Sequence, residues 1–537
     1  MGPKEFLSKF KKALPGSNVE SLIARYKAAQ GVADLWRDIL DDAYEYAIPQ
    51  RNTFYQRTVG ERKATRVYDS TTERAVITFA NRIQSDLMPP FQRWASLAPG
   101  PLLPKENEDE ARKVLDQATE TLFALIHASN FDSAINEFLI DLSMGTGALL
   151  VQPGDKRMPL VYQCVPVSQL SLEEGVGDLI EACFRAHEVK ARLIQATWPD
   201  ATIPDEINKL IKEVEKDHKI KLIECTHYDR PNDQWLYEVL HEDSKTIMVS
   251  RTSRENPFIV ARWTKTPGEV FGRGPVIYNL NDIKTTNKLT ELELKNATMA
   301  VTGAYMVSND SGINPNTMRI VPGAFIRVNR TAGPSGPAIA PLPRAGDFQI
   351  TEVLRERLLS GIKRSLFDEQ LPPQGAAVRS ATEIMERIKE LSQATTGPFG
   401  RLMSELVNPL MRRSLEVITD AGFIEEEIPI DGLYVKATVV SPLAQQQAMD
   451  DVQTVVRWIE LVNSLAGQEA TMLGVSIEDL PEYLAGKLGV PQELQRDKAA
   501  RKQIQGAVAK MLAGMIAQRQ QPQPGAEQPM EAATEPI

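Results

Sequence analysis

Residues 279–300 run without glycine or proline, and a second helical stretch covers about 347–366, with an insert rich in Gly, Pro and Asn, Ser308 to Pro343, between them. This arrangement constrains the fold more than any other feature of the chain. Leu280, Ile283, Leu289 and Leu292 recur at helical spacing in the first stretch, and Ile350, Leu354, Leu358 and Ile362 stand four apart in the second. The pattern predicts helix, small irregular insert, helix. A loop of small, proline-rich and basic residues follows, Leu371 to Arg379, and then Ser380 and Glu383, spaced as a capping box that starts another helix. Such a loop between two helices is suited to motion. No catalytic motif accompanies it, so the segment reads as a mechanical part.

A chain of 537 residues exceeds what one core can organise and implies roughly three to four domains or layers. No apolar run approaches the ~18 residues that span a bilayer, and no signal-peptide core is expected at the N-terminus. Cys164, Cys183 and Cys225 are far apart and read as reduced, buried small hydrophobes. His127, His187, His218, His227 and His241 show no ligand spacing, so neither a metal nor a cofactor is expected. The net charge of −10 argues against tight DNA binding by a lone chain, not against DNA passing by.

The N-terminal third reads as helical. One run contains Leu35, Trp36, Ile39 and Leu40 and stops at Pro49; a second contains Val76, Phe79, Ile83 and Leu87 and stops at Pro89-Pro90. A third stops near Asn130, and a fourth starts at Asp132 with Gly145 as its C-terminal cap. From about Ala148 to Lys265 the segments are short and β-prone: 148–151, 159–165, 179–187, 219–228, 235–240 and 258–263, with one inserted helix near Lys190 to Trp198. Later, Phe399 to Ile418 reads as a helix bent by Pro409 and closed by Gly422, and Leu433 to Val440 as a strand. Ile504, Val508, Met511, Leu512 and Met515 form an apolar seam, and the Gln/Pro/Glu tail beyond Arg519 reads as disordered.

Gly272-Arg273-Gly274-Pro275 lacks both phosphate-loop spacings; its proline suits the first turn of a helix. No GxSxG or Cys/His pairing supports nucleophilic catalysis, and Asp41-Asp42 and Glu425-Glu426-Glu427 read as solvated surface. An enzyme is not expected. Arg62, Lys63 and Arg66 form a basic stretch suited to subunit contact, while Lys363, Arg364 and Arg379 are better candidates for a phosphate backbone.

Four passages resemble the portal (head-to-tail connector) proteins of tailed phages, most closely the podovirus type. They are Arg66-Val67-Tyr68-Asp69-Ser70 through Pro89-Pro90 and Trp94; Gly268 to Pro275 with Asn281-Asp282-Ile283-Lys284; Arg379 to Arg387 with Glu390; and Gly397-Pro398-Phe399 with Arg401-Leu402, Glu405-Leu406 and Pro409-Leu410. Their order over most of the chain carries the resemblance; the last hundred or so residues carry little of it.

The resemblance implies an α+β, mainly helical, portal-like fold with wing, two-helix stem, clip insert and helical crown. Residues 1–278 would be N-terminal helices plus a β-rich wing region, 279–300 the first stem helix, 301–345 the clip insert and 346–370 the second stem helix. Residues 371–381 would be the channel loop, 382–440 wing helices and strand, 441–519 the crown with a possible barrel, and 520–537 a disordered tail. The expected partners are other copies in a homo-dodecameric ring, double-stranded DNA in the channel, the terminase large subunit, a tail adaptor, and major capsid and scaffolding proteins, with no membrane. The expected location is the capsid portal vertex of the virion, after assembly in the host cytoplasm. The DNA-proximal candidates are Pro372, Pro373, Gln374, Gly375 and Arg379 with Lys363 and Arg364; the stem candidates are Lys284 and Lys288; the clip docking candidates are Asn314, Asn316, Arg319 and Arg330. Another ring-forming adaptor, or a cytosolic hydrolase, is the alternative.

Overall fold

Asn18 accepts the Glu20 amide at 3.0 Å and so caps the first helix, α1, Val19–Ala47. The computed structural model describes residues 18–51, 54, 66–104, 108–212, 218–302, 305–307, 339–341, 348–368, 397–424, 428, 430–440, 451–465, 480–481 and 483–484. α1 is 29 residues long and serves two cores. Its first half places Leu22, Tyr26 and Ala29 against Phe184, Ile223 and Cys225. Its second half places Trp36, Leu40 and Tyr44 in the main core with α2 (Thr71–Leu87), α3 (Glu108–His127) and α4 (Phe131–Leu142). Pro49 follows within two residues of the helix end and opens a short 3-10 turn, because proline cannot continue the α pattern.

A ribbon of two strands joins distant parts of the chain: β1 (Ala95–Pro99) pairs antiparallel with β12 (Val435–Val439), Ala95 opposite Val439. β2 (Thr146–Pro153) is the centre of a three-stranded sheet between β3 (Leu160–Val165) and β9 (Phe258–Arg262). Its apolar run Ala148 to Val151 is continuous, not alternating, because α4 packs against the strand as does the helix over residues 397–420. A five-stranded antiparallel meander follows the order β4 (Leu170–Glu174), β5 (Ile180–Lys190), β6 (Lys219–Asp229), β7 (Gln234–His241) and β8 (Thr246–Ser253). Each fully buried Leu, Ile, Val or Phe in these layers contributes about 1.5–3 kcal/mol.

Two helices, α5 (Ala191–Thr197) and α6 (Asp205–Lys212), sit between β5 and β6, where one was expected. β1, β4 and β8 are also additions to the sequence reading. β1 is five residues of Ala, Ser, Leu and Pro with little β-propensity of its own; its partner β12 and a hydrogen bond from Leu97 N to Thr119 Oγ1 (3.1 Å) define it. α7 (Pro275–Tyr278) has its proline at the first turn, and α8 (Leu280–Thr302) follows. β10 (Tyr305–Val307) and β11 (Ile339–Pro341) pair antiparallel, and α9 spans Phe348–Ser365.

The helix over residues 397–420, α10, contains a π turn at Met403–Val407 directly before Pro409. The Asn408 amide reaches back to the Met403 carbonyl, so the hydrogen-bond register has already shifted where the proline lacks its donor. Gly422 (φ 82) then ends the helix, with the Phe423 amide on the Ile418 carbonyl at 3.0 Å. Residues 451–465 form α11. The capping box at Ser380 and Glu383, the 504–515 seam and the terminal tail lie outside the described residues.

Candidate functional site

α8 and α9 form a hairpin that extends through β10 and β11. At its base the Asn279 side chain donates to Ser365 Oγ at 2.8 Å; midway, Arg355 pairs with Glu293 at 3.5 Å; beyond, Tyr305 stands opposite Pro341. These pairings fix antiparallel helices in one register from base to tip. With 23 residues at 1.5 Å each, α8 reaches about 35 Å. Near the base Ile283, Thr286, Asn287 and Ile362 are buried, whereas Leu292, Leu294, Val353 and Leu354 farther out are exposed. The hairpin therefore leaves the body and carries an apolar surface with it.

Three contacts root it. Asn287 accepts the Tyr68 amide at 2.7 Å and the Asp69 amide at 3.3 Å, and donates to the Arg66 carbonyl at 2.8 Å. One buried amide side chain thus holds the whole Arg66–Asp69 passage on α8. The sequence reading singled out that passage and its neighbour Asn281–Lys284 but not Asn287; a lone Asn between buried positions of a helix was the available signal. Lys284 pairs with Asp42 at 2.5 Å and lies 5.7 Å from the centre of the Tyr46 ring, which ties α8 to α1. Lys288 pairs with Glu291 at 2.8 Å, and Glu291 also meets Lys295 at 2.5 Å; these hydrogen bonds hold the Glu291 carboxyl below its ordinary range.

The second root is a backbone crossing. Gly274 N donates to the Met144 carbonyl at 3.0 Å, Val276 N to Ser143 at 3.2 Å and Trp263 N to Gly145 at 2.8 Å. A Cβ on Gly145 would lie 2.2 Å from the Gly272 carbonyl oxygen, and one on Gly274 2.2 Å from that of Ser143. The Gly272-Arg273-Gly274-Pro275 motif is explained by this contact: its glycines let the chain cross the α4–β2 turn, and its proline opens α7. Arg273 stacks 4.9 Å from the Trp36 ring and bonds Glu269, which holds the Glu269 carboxyl below its ordinary range.

The third is the end of α9. Its last turn carries Lys363, half-buried, and Arg364, exposed, where cations oppose the helix dipole favourably. The Asp368 amide bonds the Lys363 carbonyl at 2.8 Å, with Phe367 in the left-handed region (φ 56). Phe367 is buried, its ring stacked 5.9 Å from Phe79, and Arg82 donates to its carbonyl at 3.4 Å.

Beneath the root lies a buried ionic cluster. The Arg262 guanidinium, 2% exposed, meets Glu405 at 2.8 Å and Glu174 at 3.1 Å, and Lys265 meets Glu174 and Asp178. A second buried cluster joins Tyr44, Arg51 and Cys164 to Asp141, whose carboxyl burial pushes up. Cys164 is half-buried rather than buried, packed against the main core with its thiol between Arg51 and Asp141; Cys183 and Cys225 are buried, and all three are free thiols.

Of the residues proposed from sequence, Lys284, Lys288, Lys363 and Arg364 fall on the hairpin. Pro372, Pro373, Gln374, Gly375 and Arg379, and Asn314, Asn316, Arg319 and Arg330, lie outside the described residues. Among the described residues no group of His, Cys, Asp and Glu is placed to hold a metal ion, and no helix is long and apolar enough to cross a membrane.

Residues 19–495 match the family model described as bacteriophage head to tail connecting protein. No curated protein matches the chain.

Proposed function

The chain belongs to the family of bacteriophage head to tail connecting proteins, and from that premise we propose that it is the portal: a dodecameric ring around a channel for DNA packaging and ejection. Membership makes it a virion component that assembles with capsid and tail parts. The observation that carries the finer reading is the rooted hairpin. Two long antiparallel helices leave the body with Leu292, Leu294, Val353 and Leu354 exposed. Apolar surface of this kind on a projecting element is satisfied by neighbouring copies. In this reading α8 and α9 are the stem, residues 301–345 the clip, the helices and sheets around them the wing, and α11 part of the crown.

Charge supports a sliding channel. With −10 per chain, a ring repels duplex DNA overall, so DNA passes without being trapped. Sparse cations such as Lys363 and Arg364, and Arg379 with the 371–381 loop, then make transient backbone contacts. The clip, with Asn314, Asn316, Arg319 and Arg330, docks the terminase large subunit and later the tail adaptor; scaffolding and major capsid proteins surround the wing. The protein is of podovirus type, assembles in the host cytoplasm, and performs no catalysis of its own.

Electron microscopy of the purified protein, classified for rotational symmetry, tests this. Rings with an open channel are expected. Discrete small particles without a channel, across concentrations and salts, overturn it.

A further inference from the structure

Residues 170–253 form a lobe inserted between β3 and β9: the strands β4 to β8 with α5 and α6. Two connections lead into it. One is the 3-10 turn Val167–Gln169; the other runs from Arg254 to Pro257, where the Arg254 and Glu255 amides bond Glu416 of α10 at 2.7 and 3.2 Å. Leu170, beside the first connection, packs with the main core. Polar side chains cross the same junction: Arg185 reaches Gln163 at 3.2 Å, Gln152 reaches Tyr237 at 3.2 Å, and Arg262 meets Glu174 at 3.1 Å. Polar junctions of this kind let adjoining units shift.

α1 is the third tie. Arg25 pairs with Glu173 at 2.9 Å and Lys27 with Glu242 at 3.3 Å, so its first half belongs with the lobe. Its second half belongs with the body, since Asp42 holds Lys284 of α8 and Arg273 stacks on Trp36. Between the halves stands Gly31, the weakest helix former apart from proline. A Cβ there would meet nothing within 4 Å, so no close approach calls for the glycine. Gly31 and Leu35 face water. The neighbouring face of the helix, with Gln30, Asp34 and Arg37, overlies a hollow of about 410 Å³ whose lobe side includes Glu188 and Lys221. A helix bends most easily at glycine, whose backbone is freest, and the hollow leaves room for the bend.

We propose that α1 is a hinged strap: it bends at Gly31, and the lobe swings toward the body and narrows the hollow. Asp34 and Arg37 on α1 and Glu188 and Lys221 on the lobe give each side one acid and one base, so closure gathers no surplus of either sign. The second half of α1 stays with the root of the hairpin. The bend at Gly31 therefore sets the angle between the lobe and α8.

Hydrogen exchange on the full-length protein is the first test. Amides of residues 31–35 are expected to exchange faster than those of 22–29 and 36–44, and Gly31→Ala should slow them about fivefold. Equal protection along the whole of α1 overturns the hinge. The second test measures distance. Asp38→Cys and Lys219→Cys, both at exposed positions, carry spin labels in chains diluted with unlabelled parent. Two separations are expected, and Gly31→Ala should deplete one of them about fivefold. A single separation overturns the swing, as do populations that alanine leaves unchanged even where local exchange slows. Both readouts follow one chain, so a protein that forms no rings would remove the ring reading and leave this hinge standing.

Discussion

The Arg262 guanidinium and the Arg262 backbone amide both bond the carboxylate of Glu405, 143 residues later in the chain, at 2.8 and 2.9 Å. The π turn in α10 contains Glu405, and Arg401 braces the same carboxylate at 2.9 Å. One side chain therefore joins β9, α10 and, through Arg262, the β4–β5 turn.

Removing that carboxylate leaves a buried guanidinium with only Glu174 and backbone carbonyls. Breaking a buried pair in this way costs about 3–5 kcal/mol. Glu405→Ala should lower the thermal midpoint by several degrees, and Glu405→Gln, which keeps hydrogen-bond acceptors, by less. Equal midpoints for the parent and Glu405→Ala would show that Arg262 is satisfied without it.

The glycine crossing gives a sharper contrast. Gly145 (φ 140) and Gly274 have backbone carbonyls where a Cβ would sit, so neither can yield as a side chain would. Gly145→Ala and Gly274→Ala should give insoluble or misfolded protein. Gly31 lies within α1 with nothing within 4 Å of its added Cβ. Gly31→Ala should stabilise by about 0.5–1 kcal/mol, read as a higher thermal midpoint.

Punctuation made much of the fold legible. Pro49 and the Pro89-Pro90 pair mark helix ends, Gly422 closes α10, and Pro275 opens α7. The apolar run at β2 and the strands 219–228 and 235–240 were equally visible, because their residues prefer a half-buried pleat whatever their partners. What escaped the sequence is what tertiary partners decide. β1 is strand only because β12 lies beside it, and the π turn before Pro409 is read as a bend until the Asn408 amide is traced to Met403. Asn287 is one polar residue among many in α8, and its role depends on residues 66–69, more than two hundred positions away. Lys284, named from sequence only as a stem residue, has partners the sequence could not supply: it is held by Asp42 and Tyr46 of α1.

Phe367 permits a test in which the usual order reverses. Its ring is buried against Phe79 and Trp263, while its backbone has φ 56, which disfavours any residue with a Cβ by about 1–2 kcal/mol. Phe367→Ala loses the ring and keeps the backbone strain, costing roughly 3–5 kcal/mol. Phe367→Gly loses the ring but relieves the strain. Glycine should therefore be the milder change, by about 1 kcal/mol in denaturant unfolding. A milder alanine would mean that the turn relaxes once the ring is gone.

Acid should weaken the five-stranded sheet through two histidines. His187 lies 3.9 Å from Glu224, with Arg185 on its own strand; His227 lies 3.3 Å from Glu238 and near Arg25 of α1. Burial, reinforced by the neighbouring arginines, pushes both down to about 4. The folded chain thus keeps them neutral where the unfolded chain, near 6.5, already binds protons. Their contribution is fully present above pH 6.5 and is lost as pH falls through about 4, because the unfolded state takes up more protons in that window. Each histidine contributes roughly 3 kcal/mol at most, at about 1.4 kcal/mol per tenfold. Glu224 and Asp141, both pushed up by burial, titrate in the opposite sense and blunt the loss. The thermal midpoint should fall steadily from pH 6.5 to 4, and the double variant His187→Gln, His227→Gln should flatten that slope. A slope identical in parent and variant would move the acid sensitivity to other groups.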